Sequence, residues 1–391
     1  MRTLFKNAHL VSAGIDNSGA SLLVNDGLIE AVYRAGEKLP QAARIVDVNE
    51  NYLLPGFIDI HFHGCLGADF CDATDEVFQT IGRGKIAEGV TSMLATTLTV
   101  GEEVIFATLH AAARYAGHPG DGSRLLGAHL EGPFINPEGA GAQNPAHLRY
   151  PDIALVHAAR ALCPVKVLSL SPELPGAFDL IRQLAREGVM PSGAHSTAGF
   201  DLFERARAAG MKHLTHFCNI MTPLHHLRPG MVGGGLLAED VLVEIIADGV
   251  HLSDEMLKII FRCKGANRIM LITDAMRAAG MPDGNYVLGE LPVTVKNRRA
   301  TLESGMVAGS VSRFHESLQH LRTLRMLPDA ELIRCAGFNQ AQSLGLDRVG
   351  ALEAGYFADF VIADEKWHPL EVWKDGVCRY CHFQETVSSQ A

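Results

Sequence analysis

The chain has 391 residues, a formal net charge of −10, and a composition 47% hydrophobic and 20% charged, the profile of a globular protein long enough to hold a large barrel. The acidic balance excludes nucleic acid as the main partner, because phosphate binding needs a basic face. No apolar run reaches the roughly 18 residues of a membrane span, and the N-terminus lacks the apolar stretch of an export signal, so a cytoplasmic protein with no membrane partner is expected.

The eight cysteines are scattered, which argues against a disulfide framework. Cys378 and Cys381 form one CxxC beside His382, but a zinc site there would need further ligands. We read the pair as ordinary residues.

In chain order, residues 1–54 hold short β-like pieces at 21–24, 28–33 and 44–48, with Asn25-Asp26-Gly27 as a turn. The middle of the chain alternates apolar runs with amphipathic helical segments such as 178–187, 202–209 and 256–263. The runs lie at 56–63, 91–97, 125–131, 166–171, 189–195, 213–217, 243–248 and 269–274. Eight strands, each with a following connection, predict an α/β fold, a TIM-like (β/α)8 barrel over residues 55–354. Beyond 355 the pattern turns β-like again, at 360–363 and 371–373. We expect residues 1–54 and 355–391 to pair into one small β-sandwich domain.

The polar, ligand-type residues fall at the C-terminal ends of the barrel runs, where such barrels build their active sites. His61 and His63 are two apart on the first run, so both imidazoles face one way. They either bind an ion together or hydrogen-bond a substrate. Glu131 ends the third run between apolar residues and Gly132-Pro133. A carboxylate there needs a cation, either a metal or a buried salt-bridge partner. His129 shares its inward face. His195 and His216 end the fifth and sixth runs. One carboxylate and two imidazoles with an open position suit a catalytic zinc or iron site. Asp274, at the end of the eighth run, is either a helix N-cap or a general base. His251, just after the seventh run, reads as a substrate contact.

In this order the motifs resemble the amidohydrolase superfamily and, within it, the N-acetylglucosamine-6-phosphate deacetylase family. The resemblance runs over nearly the whole chain. It rests on Pro55-Gly56-Phe57-Ile58-Asp59, Gly127-Ala128-His129-Leu130-Glu131-Gly132-Pro133-Phe134, Gly193-Ala194-His195-Ser196-Thr197, Thr215-His216-Phe217-Cys218-Asn219, Ile246-Ala247-Asp248-Gly249-Val250-His251 and Thr273-Asp274-Ala275-Met276. It implies that Glu131, His195 and His216 hold a principal divalent metal. That ion is zinc first, with iron or another divalent ion as the alternative. His61 and His63 would allow a second ion bridged by Glu131.

The resemblance also implies that Asp274 is the catalytic aspartate and that His129 supports the metal or polarises the acyl carbonyl. Ala142, Gln143, Asn219, Ile220, His251, Val307, Ala308 and Gly309 would contact an N-acylated sugar phosphate. A homodimer is implied too, with Arg228 near a partner's site. Three departures touch recognition. Gln143 stands where the family has a histidine and Ala140 where it has a lysine; Ile220 replaces an alanine; Arg228 is shifted by one place. The reading is therefore deacetylation of N-acetylglucosamine 6-phosphate. Its rivals are the same chemistry on another N-acylated amino sugar or small amide, and a non-catalytic assembly protein on the same fold.

Overall fold

The computed structural model describes residues 1–382. The chain opens with β1 (Thr3–Ser12), β2 (Ile15–Asn25), β3 (Leu28–Tyr33), β4 (Arg44–Asp47) and β5 (Tyr52–Pro55). β2 and β3 are antiparallel, and Asp26 (φ 48°) and Gly27 (φ 80°) between them are both left-handed, as a tight primed hairpin turn requires. The barrel begins at β6 (Phe57–Asp59), passes a small hairpin, β7 (Gly64–Cys65) and β8 (Ala68–Asp69), and continues as β9 (Val90–Thr97), β10 (Arg124–Glu131), β11 (Val165–Leu170), β12 (Met190–Gly193), β13 (His213–Leu214), β14 (Leu242–Ile246) and β15 (Ile269–Ile272). A three-stranded insertion follows, β16 (Gly284–Leu288), β17 (Leu291–Lys296) and β18 (Arg299–Thr301). The chain then returns to the first sheet through β19 (Phe360–Ala363), β20 (Pro369–Lys374) and β21 (Val377–Cys381).

One helix follows each barrel strand: α1 (Asp75–Ala87), α2 (Glu102–Gly117), α3 (Ile153–Leu162), α4 (Ala177–Arg186), α5 (Phe200–Ala209), α6 (Gly230–Leu237), α7 (Asp254–Lys264) and α8 (Phe314–Thr323). Local chemistry starts several of them. The Thr74 side chain accepts from Val77 N at α1 and the Ser253 side chain from Met256 N at α7, filling donors that a helix start leaves open. In α4, Leu180, Ile181 and Leu184 are buried, the spacing of one apolar face.

The barrel strands run parallel in the order β6-β9-β10-β11-β12-β13-β14-β15. Backbone bonds close the ring at its mouth, from Asp274 N to His61 O (2.9 Å) and from His63 N to Ala275 O (2.8 Å). Ile58, Leu94, Val167, Met270 and Ile272 pack in one interior cluster, while Phe57, Met93, Leu168 and Leu271 belong to the larger core shared with the helices. That alternation is what a strand with two buried faces produces.

The two chain ends share the other sheet, in the order β21-β20-β19-β5-β1-β2-β3, with β4 also on β1. The antiparallel pair β19–β5 is the seam, with Phe360 opposite Pro55 and Ala363 opposite Tyr52. Along these strands Leu10, Leu53, Phe360, Ile362 and Trp373 enter the small domain's own core. Their neighbours Val11, Leu54, Val361 and Val372 enter the barrel's core instead. The small β-domain is thus bonded to the barrel through one whole face. Cys378 and Cys381 lie on β21 as free thiols, and residues 383–391, expected to end this domain, fall outside the described residues. No helix among the described residues is long and apolar enough to cross a membrane.

One polar cluster sits just below the mouth. Lys85 is fully buried on α1 and its Nζ meets Glu88 (2.8 Å) and Asp59 (2.9 Å). Asp59 also accepts from Thr273 Oγ1 at 2.6 Å, and Glu88 from Phe314 N at 2.9 Å.

Candidate active site

Several expected strands stop earlier than their apolar runs suggest. His61 and His63 lie beyond β6, His195 beyond β12, His216 beyond β13 and Asp274 beyond β15. His195 (φ 48°), His216 (φ 32°) and Asp274 (φ 48°) adopt left-handed backbone, which is uncommon for such residues and ends a ladder. The kinks turn these side chains over the barrel axis. Strain of this kind persists only where the surroundings enforce it, and it gathers at functional sites.

The carboxylate of Glu131 is the hub. Its Oε1 lies 3.1 Å from His216 Nε2, 3.3 Å from His195 Nε2 and 3.5 Å from His61 Nε2. Its Oε2 lies 3.2 Å from His63 Nε2. Asp274 Oδ1 lies 3.2 Å from His63 Nε2 and 3.6 Å from His61 Nε2. Three groups of donors lie close enough to share an ion, Glu131–His195–His216, His61–His63–Asp274 and His61–His129–Glu244, all buried; only the first two include residues that line the cavity above Glu131. Ligands about 2.0–2.1 Å from a tetrahedral ion stand roughly 3.3 Å apart, which is the spacing found here.

The donor chemistry fits a cation. His195 Nδ1 bonds Gly139 O at 2.9 Å and His61 Nδ1 bonds Glu244 Oε2 at 2.9 Å. These bonds engage Nδ1 and leave the Nε2 atoms turned toward the Glu131 carboxylate. His61 Nε2, buried, has no hydrogen-bond partner. Lone pairs and carboxylate oxygens converging on one small volume repel unless positive charge lies among them. The electrostatics say the same. Burial works against charge on His61 and His63, yet nearby carboxylates outweigh it. Glu131 and Glu244 hold His61 well above its usual pKa, and Asp274 and Glu131 lift His63 to about 9. Burial would raise Glu131, but His61, His195 and His216 hold it well below the usual carboxylate range.

Above the donors lies a cavity of about 150 Å³, roughly five water volumes. Ala142, Gln143, Asn219, Ile220, His251, Val307 and Gly309 line it, with His63, Glu131, His195, His216 and Asp274. His251 Nδ1 is held by Asp248 Oδ2 at 2.8 Å, which leaves Nε2 for the cavity. Burial opposes charge on this ring too, but Asp248 outweighs it and raises the pKa.

Three expectations need correction. The fully buried His129 has both nitrogens engaged, Nδ1 with Ile60 O (3.0 Å) and Nε2 with Ser169 Oγ (2.7 Å). It packs beneath His61 at 4.6 Å between ring centroids, so it supports that ring and cannot polarise an acyl group. Gln143 lines the cavity, but its amide is spoken for: Nε2 donates to Glu131 Oε2 at 2.6 Å and Oε1 accepts from Thr99 N at 2.8 Å. Ala308 is wholly buried in the apolar core, and only its neighbours reach the cavity. Arg228, expected near a partner's site, lies in a surface groove with His225 and Leu227, outside this chain's own cavity.

One rival reading also falls. Asp274 caps no helix, since the next one, α8, begins at Phe314. Among the described residues Glu131 pairs with no lysine or arginine; its partners are His61, His63, His195, His216 and the Gln143 amide. The sequence reading missed Glu244, a fully buried inward residue of β14 that holds His61 and accepts from His216 N at 3.2 Å. A charge inside the run Val243-Glu244-Ile245-Ile246 was the available signal. It also missed Leu288 and Met306, which line the cavity from the inserted hairpin region.

Fold and site together define a metal-dependent hydrolase built on a (β/α)8 barrel. Comparison with known proteins sharpens the class. The amidohydrolase family model matches residues 52–388, and the chain belongs to that family. It is 38% identical over 345 residues to N-acetylglucosamine-6-phosphate deacetylase of Bacillus subtilis (strain 168), covering 87% of each chain. It is 36% identical over 358 residues to N-acetylgalactosamine-6-phosphate deacetylase of Escherichia coli O157:H7, covering 91% of this chain and 93% of that one. Among solved structures, a mutant N-acetyl-D-glucosamine-6-phosphate deacetylase from Mycobacterium smegmatis, in complex with N-acetyl-D-glucosamine-6-phosphate, superposes with a TM-score of 0.89. It shares 30% identity over 97% of this chain and 99% of that chain.

Proposed function

We propose that this chain hydrolyses the acetamide of N-acetylglucosamine 6-phosphate, releasing acetate and glucosamine 6-phosphate. The observation that carries the chemistry is Glu131, set between two groups of donors and overlooked by Asp274. The relatives supply the substrate class. We assign Glu131, His195 and His216 to a principal ion and His61 and His63 to a second, with zinc favoured because the donors are nitrogen and oxygen at tetrahedral spacing. A divalent ion held there supplies Lewis acidity, lowering the pKa of water and polarising a carbonyl near neutral pH.

The protein's own groups do the rest. Asp274 takes the proton of the attacking water as it adds to the acyl carbon, then passes it to the departing amine nitrogen. His251, braced by Asp248, donates Nε2–H to the acyl oxygen as negative charge gathers on it. Gln143 and Glu244 position Glu131 and His61 from behind. Asn219, Ile220, Val307 and Gly309 form the wall for the sugar.

A second reading has a specific basis. Gln143 is turned onto Glu131 rather than toward the ligand, and Ile220, 36% exposed with φ 50°, narrows the mouth. With the galactosamine relative at similar identity, N-acetylgalactosamine 6-phosphate is the rival substrate. Turnover of both sugar phosphates and of their unphosphorylated forms decides. We expect the glucosamine ester to have the highest kcat/KM; an equal rate on the unphosphorylated sugar would refute the phosphate assignment.

We further divide the chain into a barrel at 55–354 and a β-domain from 1–54 with 355–391, and place the protein in the cytoplasm. Leu224 and Leu227, 57% and 77% exposed beside Arg228, favour a homodimer seated on that groove.

A further inference from the structure

A second cleft, of about 400 Å³, opens on the flank of the barrel where α1, the start of α8 and β21 meet. None of its lining residues belongs to the cavity above Glu131. Its walls carry two positive groups, the guanidinium groups of Arg83 and Arg313, together with the imidazole rings of His315 and His368. Both arginines are exposed, and neither pairs with a carboxylate among the described residues. His315 is 3% exposed, and its Nδ1 is buried without a hydrogen-bond partner. The ring stands edge-on to His368 at 5.1 Å.

The one acid on the wall is already satisfied. Glu88 Oε2 accepts from Lys85 Nζ and from Phe314 N, the first residue of α8. Gly280 (φ 80°) keeps the space beside a guanidinium open, because a Cβ there would fall 2.8 Å from Leu66 Cδ2 and 3.8 Å from Arg313 Nη2.

Two guanidinium groups with no carboxylate partner among the described residues repel each other and any cation, and an anion relieves that repulsion; burial lowers the His315 pKa to about 4, so its ring offers a hydrogen bond and not a charge. Arginine's planar fork matches phosphate oxygens. The volume is roughly a dozen water volumes, more than inorganic phosphate fills, and Leu66 and Ala87 on the wall give apolar surface for a carbon skeleton. We infer that this cleft is a second ligand site, one that takes a small phosphate monoester on Arg83 and Arg313 with His315 and His368 beside them. The inference does not rest on the substrate proposed above.

The test uses the full-length, metal-loaded protein. Crystals soaked in tungstate, a heavy phosphate mimic, should show an anomalous peak at Arg83 and Arg313. That peak should vanish in the double variant Arg83→Gln/Arg313→Gln, whose exposed substitutions should leave turnover unchanged. In calorimetry, inorganic phosphate and glucose 6-phosphate, which has no amide to cleave, should each bind at least about ten-fold more weakly to the variant. A tighter fit for glucose 6-phosphate would make the ligand a sugar ester; equal binding would make it free phosphate. Should the double variant fold poorly, His368→Gln gives the same readout. The inference is overturned by no tungstate at the cleft, or by binding that the variants leave unchanged.

Discussion

Two buried polar clusters share the ends of barrel strands β6 and β15, the lower completed from α1 and the upper from β10, β12 and β13, and they differ in how their charge is met. The lower cluster closes on itself. Lys85 supplies the positive charge, Asp59 and Glu88 the negative, and Thr273 a further hydrogen bond. Burial opposes the charge on Lys85, but Glu88 and Asp59 outweigh it and hold its pKa above the usual value. The upper cluster, two residues on from Asp59 and one from Thr273, holds two carboxylates and four imidazoles, and among the described residues no lysine or arginine pairs with its carboxylates. It leaves His61 Nε2, His63 Nδ1 and His216 Nδ1 unbonded. A cluster that satisfies its own charge is scaffold; one built short of a cation is a site.

The largest effect should come from the upper cluster. Asp274→Asn should lower kcat by roughly a thousand-fold or more while metal content, measured by elemental analysis, stays at the wild-type level. Near wild-type turnover would remove the aspartate from the mechanism. In the lower cluster, Lys85→Met leaves two carboxylates buried beside no cation, and should cost about 3–5 kcal/mol in denaturant unfolding. If the loss were under about 1 kcal/mol, the claim that this cluster is scaffold would not survive.

Stripping the metal with a chelator should destabilise the protein by about 3–4 kcal/mol relative to saturating zinc, and adding zinc back should restore the melting temperature. A melting temperature indifferent to metal would mean that the upper cluster is complete without an ion. Glu244→Gln keeps the shape but removes the charge behind His61. It should weaken metal binding about 10–100-fold in a competition titration, with thermal stability of the metal-loaded form little changed.

The smallest expected effect concerns His213, buried beside β12 and β14 with no charged partner. Burial lowers its pKa to about 3, against 6.5 for the free side chain. Between these values the unfolded chain binds the proton and the folded chain does not. This residue's share of stability is therefore complete above pH 6.5 and lost as pH falls toward 3. The slope is at most about 1.4 kcal/mol per pH unit. His213→Asn should flatten the acid limb of the stability profile, and an unchanged limb would count against the assignment.

Much of the barrel was legible beforehand because buried parallel strands are continuous apolar runs, and those runs fall within a few residues of the observed strands. Phe360–Ala363 was legible in the same way. The inserted strands Gly284–Thr301 were not anticipated. Their alternating, half-exposed pattern is weaker than a buried run and stood outside the eight-fold rhythm. Glu131, His195, His216 and Asp274 could be picked out because each is a polar residue at the end of an apolar stretch. Gln143 could not be assigned to Glu131, nor Arg228 to another groove, because both outcomes depend on where loops travel after leaving the strands.

The sequence by itself determined the periodicities, and with them the strand and helix inventory and the chemical types gathered at the strand ends. Those are local properties, set by spacing along the chain and by the expense of burying a charge. Only the tertiary structure decided which donors converge on one small volume, which histidine faces the cavity and which is locked beneath it. Distances of 3.1–3.3 Å between residues 64 to 211 positions apart arise from barrel closure and backbone kinks, and no short stretch of sequence contains either.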